Sequence, residues 1–314
     1  MQCGICKKNS NPIFKEKSGN YSLYECPLCG GQFWNPMKNP GAEWYEKDIR
    51  YSFRNKNPLK TPEVNHREFL RDLPASKGKL LDIGMGTGNF LAAAVANGYD
   101  GYGTDFDNDA IETAKEFFGL QNVFPLNTEE AIKKFGPGYF DVITLFEVLE
   151  HLEDPSESLE KIKVLLKKGG YLAISVPYRG SSKLFKAHDI PPRHLTRWSE
   201  KSMENFLNSH QFSVTRMKVI PVPFSYLITK YHFWYEGIFS FGAVEKLTSP
   251  KKTQKGETIA NNFKKNYRKI KMLQSLARLK DYLLFSIPAA ILYLRLLLNK
   301  KAGLDLYVLA QFKD

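Results

Sequence analysis

The segment that most constrains the fold is KLLDIGMGTGNF, residues 79–90, in which a short apolar run enters a turn with glycines at 84, 86 and 88 and leaves as a helix-forming stretch. A strand, glycine turn and helix in this order lets a ligand approach the backbone and places it at a helix N-terminus. The alternation then repeats. Residues 89–97 read as a helix stopped by Gly98, 101–105 as a strand and 109–118 as a helix. A strand near Val123, a helix over 128–134 and a strand over 139–146 follow. Asp154 as N-cap, Pro155 at the first helical position and Glu157 at the third announce a further helix whose buried face is Leu159, Ile162 and Leu166. After Gly169-Gly170 come a strand over 171–176, a helix over 199–209, a strand over 212–220 and, at the far end, a strand over 304–312. Strands alternating with helices at this spacing predict a parallel, doubly wound α/β sheet.

The glycine turn by itself admits a dinucleotide site, and Asp105, 21 residues after Gly84, stands where a ribose-binding acid belongs. Two residues oppose that reading. The third glycine of the dinucleotide fingerprint would fall on Asn89, and Asp82 would put a carboxylate near the pyrophosphate. A cationic ligand fits better.

Four segments in order, DIGMGTG (82–88), GTDFD (103–107), NTEEA (127–131) and FDVITLFEVLEHLEDP (140–155), resemble the motifs of class I S-adenosylmethionine-dependent methyltransferases, over roughly 78–220 plus the final strand. The resemblance implies a seven-stranded Rossmann-like sheet in the order 3-2-1-4-5-7-6, its last strand antiparallel. It also implies a cofactor, S-adenosylmethionine. Gly84, Gly86 and Gly88 would form the cofactor's floor, Asp82 would face its methionine amino group, and Asp105, with Phe106 beside it, would serve the ribose. Asn127 and Thr128 fall where the family contacts adenine, although many members carry Asp at the first position. Phe146 and Glu147 would lie beside the sulfonium. Each assignment has a plainer rival: Asp105 as a helix cap, Phe146 as core.

Methyl transfer from a sulfonium is an in-line displacement by an already activated reagent, so the protein must chiefly align the acceptor and, for some acceptors, remove a proton. The segment DIPPRHLTRWS (189–199) resembles the His-Leu-x-x-Phe/Trp-Ser turn of methyltransferases with an N-terminal zinc module, some of which use that histidine as a base. His194 is therefore the candidate base, with a hydrogen-bonding anchor as the alternative. His151, in the EHLEDP turn, is a second candidate catalytic residue whose rival is a structural role.

Cysteines occur only at 3, 6, 26 and 29, as two Cys-x-x-Cys pairs nineteen residues apart, with glycines and a proline supplying tight turns. Two such pairs predict one structural zinc ion held by four thiolates in a small ribbon over 1–34. The opening MQCGICKKNS has no apolar run behind its charges, which predicts a reducing, cytoplasmic setting. Residues 35–77, rich in Pro, Asn and aromatics up to about 65, read as a linker with one short helix.

Residues 221–303 break the α/β rhythm as an insertion before the last strand. Eight aromatics fall within 224–241, eleven basic residues and one acidic within 246–280, and YLLFSIPAAILYLRLLL occupies 282–298. That basic stretch carries +10 of the chain's +12, so a general affinity for nucleic acid is not expected of the remainder. Seventeen apolar-rich residues whose flanks return to one sheet predict an interfacial element on an anionic membrane and not a span. A protein-buried cap or a homodimer interface is the alternative. The expected acceptor is a small molecule or a lipid-linked compound, such as a glycan carrier, a quinone-like ring or a polyprenyl compound. RNA, or a non-catalytic ribbon protein on a methyltransferase scaffold, are the rival readings.

Overall fold

The structure is a computed structural model describing residues 1–41, 55, 58, 61–72, 77–179, 189–228, 231, 280, 282–298 and 303–313. Two compact units result, Met1–Ile220 with Gly303–Asp314, and Pro221–Ala302.

In the first unit the strands β1 (Ile13–Ser18), β2 (Tyr21–Glu25) and β3 (Gln32–Asn35) precede helix α1 (Val64–Asp72). The alternating region follows as β4 (Lys79–Ile83), α2 (Asn89–Ala96), β5 (Asp100–Thr104), α3 (Asn108–Phe118), β6 (Val123–Phe124), α4 (Thr128–Phe135) and β7 (Phe140–Phe146). After a 3₁₀ turn, Leu149–His151, come α5 (Pro155–Leu165), β8 (Leu166–Pro177), β9 (Thr196–Arg197), α6 (Glu200–Ser209), β10 (Phe212–Ile220) and β11 (Asp305–Phe312). The large sheet runs β10-β11-β8-β7-β4-β5-β6, with β11 antiparallel to both neighbours and the other pairings parallel. This is the expected order. The middle strands are covered on both faces, so β7 is a nearly continuous apolar run with Phe140, Val142, Ile143, Leu145 and Phe146 buried.

One boundary differs from the sequence reading. Leu166 does not close the buried face of α5; Leu165 does, and Leu166 opens β8 opposite Phe140. The next pair in register is Val142 with Tyr171, so residues 167–170, with Gly169 at φ +72°, form an excursion in the strand. Both leucines are buried, and side-chain polarity alone cannot tell a helix's last turn from a strand's first residue.

The cysteine-bearing segment belongs to this same unit. Strands β1, β2 and β3 are completed by β9, which pairs Phe33 with Thr196 and Gln32 with Arg197. Arg179 binds Glu25 at 2.6 Å and the Gly30 carbonyl at 3.0 Å, and Arg197 binds Glu16 at 2.7 Å. Cys3, Ile5, Cys26, Cys29 and Phe33 pack in one hydrophobic cluster with residues of α5, α6 and the large sheet.

In the second unit, residues 224–228 are helical and 282–298 form one helix, with the Phe224 and Tyr293 rings edge to face at 5.8 Å. Among the described residues no helix is long and apolar enough to cross a membrane. The aromatic stretch beyond 228, Tyr231 apart, and the basic stretch short of Lys280 lie outside the described residues, as does most of 42–60.

Candidate active site and zinc centre

The turn after β4 closes on β5 before it meets any ligand. The N–H groups of Gly84 and Met85 both reach the Thr104 carbonyl, at 2.8 and 3.1 Å. Asp105, just past β5, holds the turn with both oxygens: Gly86 N–H donates to Oδ2 at 2.8 Å and Asp107 N–H to Oδ1 at 2.9 Å. Gly84 has φ +69°, and a Cβ there would stand 2.5 Å from Val148 Cγ2; at Gly88, φ +80°, it would stand 2.7 Å from Leu120 Cδ1. The cradle therefore requires glycine for both conformation and space. Gly84→Ala is expected to cost at least about 1–2 kcal/mol from the left-handed backbone alone, before Val148 shifts. Thermal denaturation with and without S-adenosylmethionine measures the loss.

A cavity of about 150 Å³ opens at the C-terminal ends of β4 and β7, lined by Glu63, His66, Asp82, Gly84, Met85, Gly86, Thr87, Asn89, Phe90, Phe146 and Glu147. Asp82, Gly84, Gly86, Phe146 and Glu147 were expected in such a site. Gly88, the N-cap of α2, is not part of the lining. Asp105, Phe106, Asn127 and Thr128 lie outside this lining. Asp105 is buried, Phe106 is 51% exposed, and Asn127 caps α4, its side chain accepting from Glu130 N–H while Glu130 reaches back to Asn127 N–H. The capping job occupies the side-chain oxygen that the resemblance would direct at adenine.

The one short helix expected within 35–77 is met by α1, but the sequence reading assigned it no position and no part in the site. This helix contributes His66, whose ring lies 5.1 Å from Phe90 and 5.0 Å from Phe146 and whose Nδ1 accepts from Glu63 N–H. Burial pushes the imidazole down to about 4, so it stays neutral at physiological pH. From Asn65, Nδ2 donates to Ser175 Oγ at 2.8 Å, and that hydroxyl donates to Glu147 Oε1 at 2.7 Å. The run VNHREFLRD, with Phe69 buried, is the signal that could have placed this helix.

Carboxyl groups dominate the electrostatics around the cavity. Burial pushes Asp82 up to about 7, opposed by the Thr144 hydroxyl, which donates to Oδ1 at 2.7 Å, and aided by the charge of Asp105. Glu147, at φ +57°, is raised well above the ordinary carboxylate range by burial and then by Asp305 and Glu150. Burial likewise lifts Asp305 and Glu150 to about 7 each. Several acids forced toward their neutral forms beside one cavity mark a place where a cation is favoured.

His151 and His194 do not line this cavity; they lie together beyond Glu150, their rings edge to face at 4.8 Å. His151 Nδ1–H donates to the Arg193 carbonyl at 2.7 Å, and burial, with His194 beside it, pushes the ring down to about 3. For His194, burial alone would lower the pKa, but the Asp189 carboxylate 3.1 Å from Nδ1 and the Glu150 charge outweigh it, and the net shift is upward. Asp189 also takes Arg197 Nε at 2.6 Å.

The four cysteine sulfurs converge within 4.8 Å of one another, with Cys3–Cys29 and Cys6–Cys26 each at 3.9 Å. Zinc–sulfur bonds of about 2.3 Å in a tetrahedron place sulfurs about 3.8 Å apart, so the set fits that ion. Ile5 N–H and Cys6 N–H point at Cys3 Sγ, at 3.3 and 3.5 Å, as donors that would stabilise a thiolate.

This fold and cradle define a class, and the chain belongs to the methyltransferase-domain family, whose profile matches residues 60–216. It is similar to ubiquinone biosynthesis O-methyltransferases of Methylococcus capsulatus, 31% identical over 131 residues, covering 41% of this chain and 55% of that protein. The Paraburkholderia phymatum enzyme of the same name is 36% identical over 137 residues, covering 42% and 56%. The chain thus spans just over half the length of these curated relatives. Among solved structures, a SAM-dependent methyltransferase from Archaeoglobus fulgidus superposes with TM-score 0.51 at 19% identity, covering 84% of this chain and all of that one, a likeness of fold.

Proposed function

We propose that this protein transfers a methyl group from S-adenosylmethionine to a small-molecule or lipid-linked acceptor, a quinone-like ring foremost. The observation that carries the reading is the glycine cradle of β4 opening into a cavity walled by Asp82, Glu63 and Glu147, because such an acidic wall favours a cationic ligand and disfavours an anionic one. The quinone-like choice draws on the relatives' names. When bound, the cofactor supplies an electrophilic methyl on a sulfonium. The chain's own residues do the rest. Gly84 and Gly86 would admit it to the backbone, Asp82 in the lining would face its ammonium, Asp105, which holds the turn from outside the lining, would serve its ribose, and Phe90, Phe146 and the neutral His66 would give an apolar wall. His194, oriented by Asp189, would take a proton from a hydroxyl acceptor onto Nε2. The zinc centre has no open position and would serve as structure.

Titration calorimetry of S-adenosylmethionine on wild type and Asp105→Ala tests this. Loss of charge-assisted hydrogen bonds worth about 1.5–3 kcal/mol is expected to weaken affinity by roughly 10–100-fold. Because an ammonium beside Asp82 lowers a carboxyl pKa that stands at about 7, binding near neutral pH should release protons. A wild type that binds no S-adenosylmethionine ends the enzyme reading in favour of a scaffold.

A further inference from the structure

The 282–298 helix is apolar almost all round, yet one side of it faces outward. Leu283, Ile287, Ile291, Leu294 and Leu298 recur at steps of three and four residues, at 73, 73, 52, 60 and 87% exposure, with Leu284 and Leu297 widening the stripe. The opposite side, Phe285, Ala289 and Leu296, is buried or half-buried. Among the described residues nothing covers this stripe, and a helix face this apolar calls for a partner.

We propose that this stripe docks on an anionic lipid surface, the helix lying in the plane of the interface. Charge argues for lipid over protein. Residues 246–281, which run up to the helix, carry eleven basic side chains against two acids, Glu257 and Asp281, and among the described residues Lys280 and Arg295 are basic and exposed. A second copy of this chain would bring the same excess of positive charge to the contact and be repelled, whereas phosphate-bearing lipid is attracted. Geometry argues for lying over crossing. Seventeen residues span only about 26 Å at 1.5 Å each, short of the hydrocarbon core. The ends of the insertion also meet at the sheet, where Leu304 N–H donates to the Ile220 carbonyl at 2.8 Å, so a single crossing would leave them on opposite sides. An amphipathic element with basic flanks and aromatic-rich neighbouring sequence matches what the interface selects. The inference does not depend on which acceptor is methylated.

The full-length protein should co-sediment with vesicles of phosphatidylcholine containing phosphatidylglycerol, bind pure phosphatidylcholine at least about tenfold more weakly, and lose most of the difference at about 1 M salt, where the screening length is about 3 Å. The double variant Ile287→Asp, Leu294→Asp should lose at least about tenfold in vesicle affinity while its melting transition and S-adenosylmethionine binding stay as in wild type. Should that variant misfold, Ile287→Ser with Leu294→Ser replaces it, and the lipid and salt dependence of the wild type stands as an independent test. Indifference to vesicle charge, or a folded stripe variant that binds as wild type, overturns the proposal. So does light scattering that finds a dimer which the variant converts to monomer while vesicles bind neither, or salt-sensitive binding to RNA in place of vesicles.

Discussion

His194→Ala is expected to lower methyl transfer by roughly 10²–10⁴-fold with S-adenosylmethionine affinity close to wild type. The imidazole lies outside the lining of the cofactor-type cavity and is held by Asp189 at 3.1 Å, so if it is the base its removal should reduce proton transfer and spare cofactor binding. The pH profile carries the sign. A base must be neutral to accept a proton, and the balance of Asp189 and Glu150 against burial holds His194 above the ordinary histidine value. Turnover should therefore rise with pH through a midpoint above 6.5 and be lost below it. Glu150, pushed up to about 7 by burial and coupled to the His194 charge, also changes its charge near neutrality, so the rise should be broader than that of one group. His151, pushed down to about 3, stays neutral throughout. Asp189→Asn should move the midpoint down, since the variant loses the Asp189 charge and the charge-assisted hydrogen bond, which together hold the value up. Cofactor affinity falling in step with turnover would instead mark His194 as an anchor of the 189–199 turn.

Loss of zinc is expected to be as damaging, by a different route. Elemental analysis should find about one zinc per chain. Structural zinc sites in small peptides bind with roughly 10–16 kcal/mol at neutral pH, more than the whole stability of most domains, so Cys26→Ala or a strong chelator should unfold residues 1–35. The effect should reach the site, because β3 is what β9 pairs with. Trp34 N–H donates to the Leu195 carbonyl at 2.9 Å, and Leu195 N–H donates to the Glu150 carbonyl at 2.7 Å, so the ribbon, the His194 turn and the Glu150 turn are laced in series. We expect turnover to fall at least about 100-fold, the scale of a misplaced catalytic group, with cofactor affinity falling far less, because the glycine cradle is held by β5 and Asp105. A metal-free protein with a folded N-terminus and full activity would refute both the ion and the coupling.

Much of this molecule follows from local chemistry. Alternating apolar runs and helix caps such as Asp154-Pro155 and Ser199 announce the βα units, because each is decided within a few residues. The glycines at 84 and 88 are similarly self-declaring, since no other residue tolerates their φ in that space. The four cysteines are legible for the same reason: a turn brings each pair together, and only the meeting of the two pairs is tertiary. What the sequence leaves open is contact between distant segments. The place and inward face of α1 were hidden because its inward residues Asn65 and Glu68 are polar, satisfied by Ser175, Arg216 and Lys218, which no periodicity of hydrophobic residues reveals. Asn127 reads equally as ligand or cap until Glu130 closes the capping box. The union of β9 with β3 joins residues 196–197 to 32–33, and backbone pairing across such a separation depends on which edges the folded chain brings side by side, a property no single segment carries. The raised acids around the cavity are likewise made by burial, which exists only once the sheet, α1 and the Glu150 turn have closed over them.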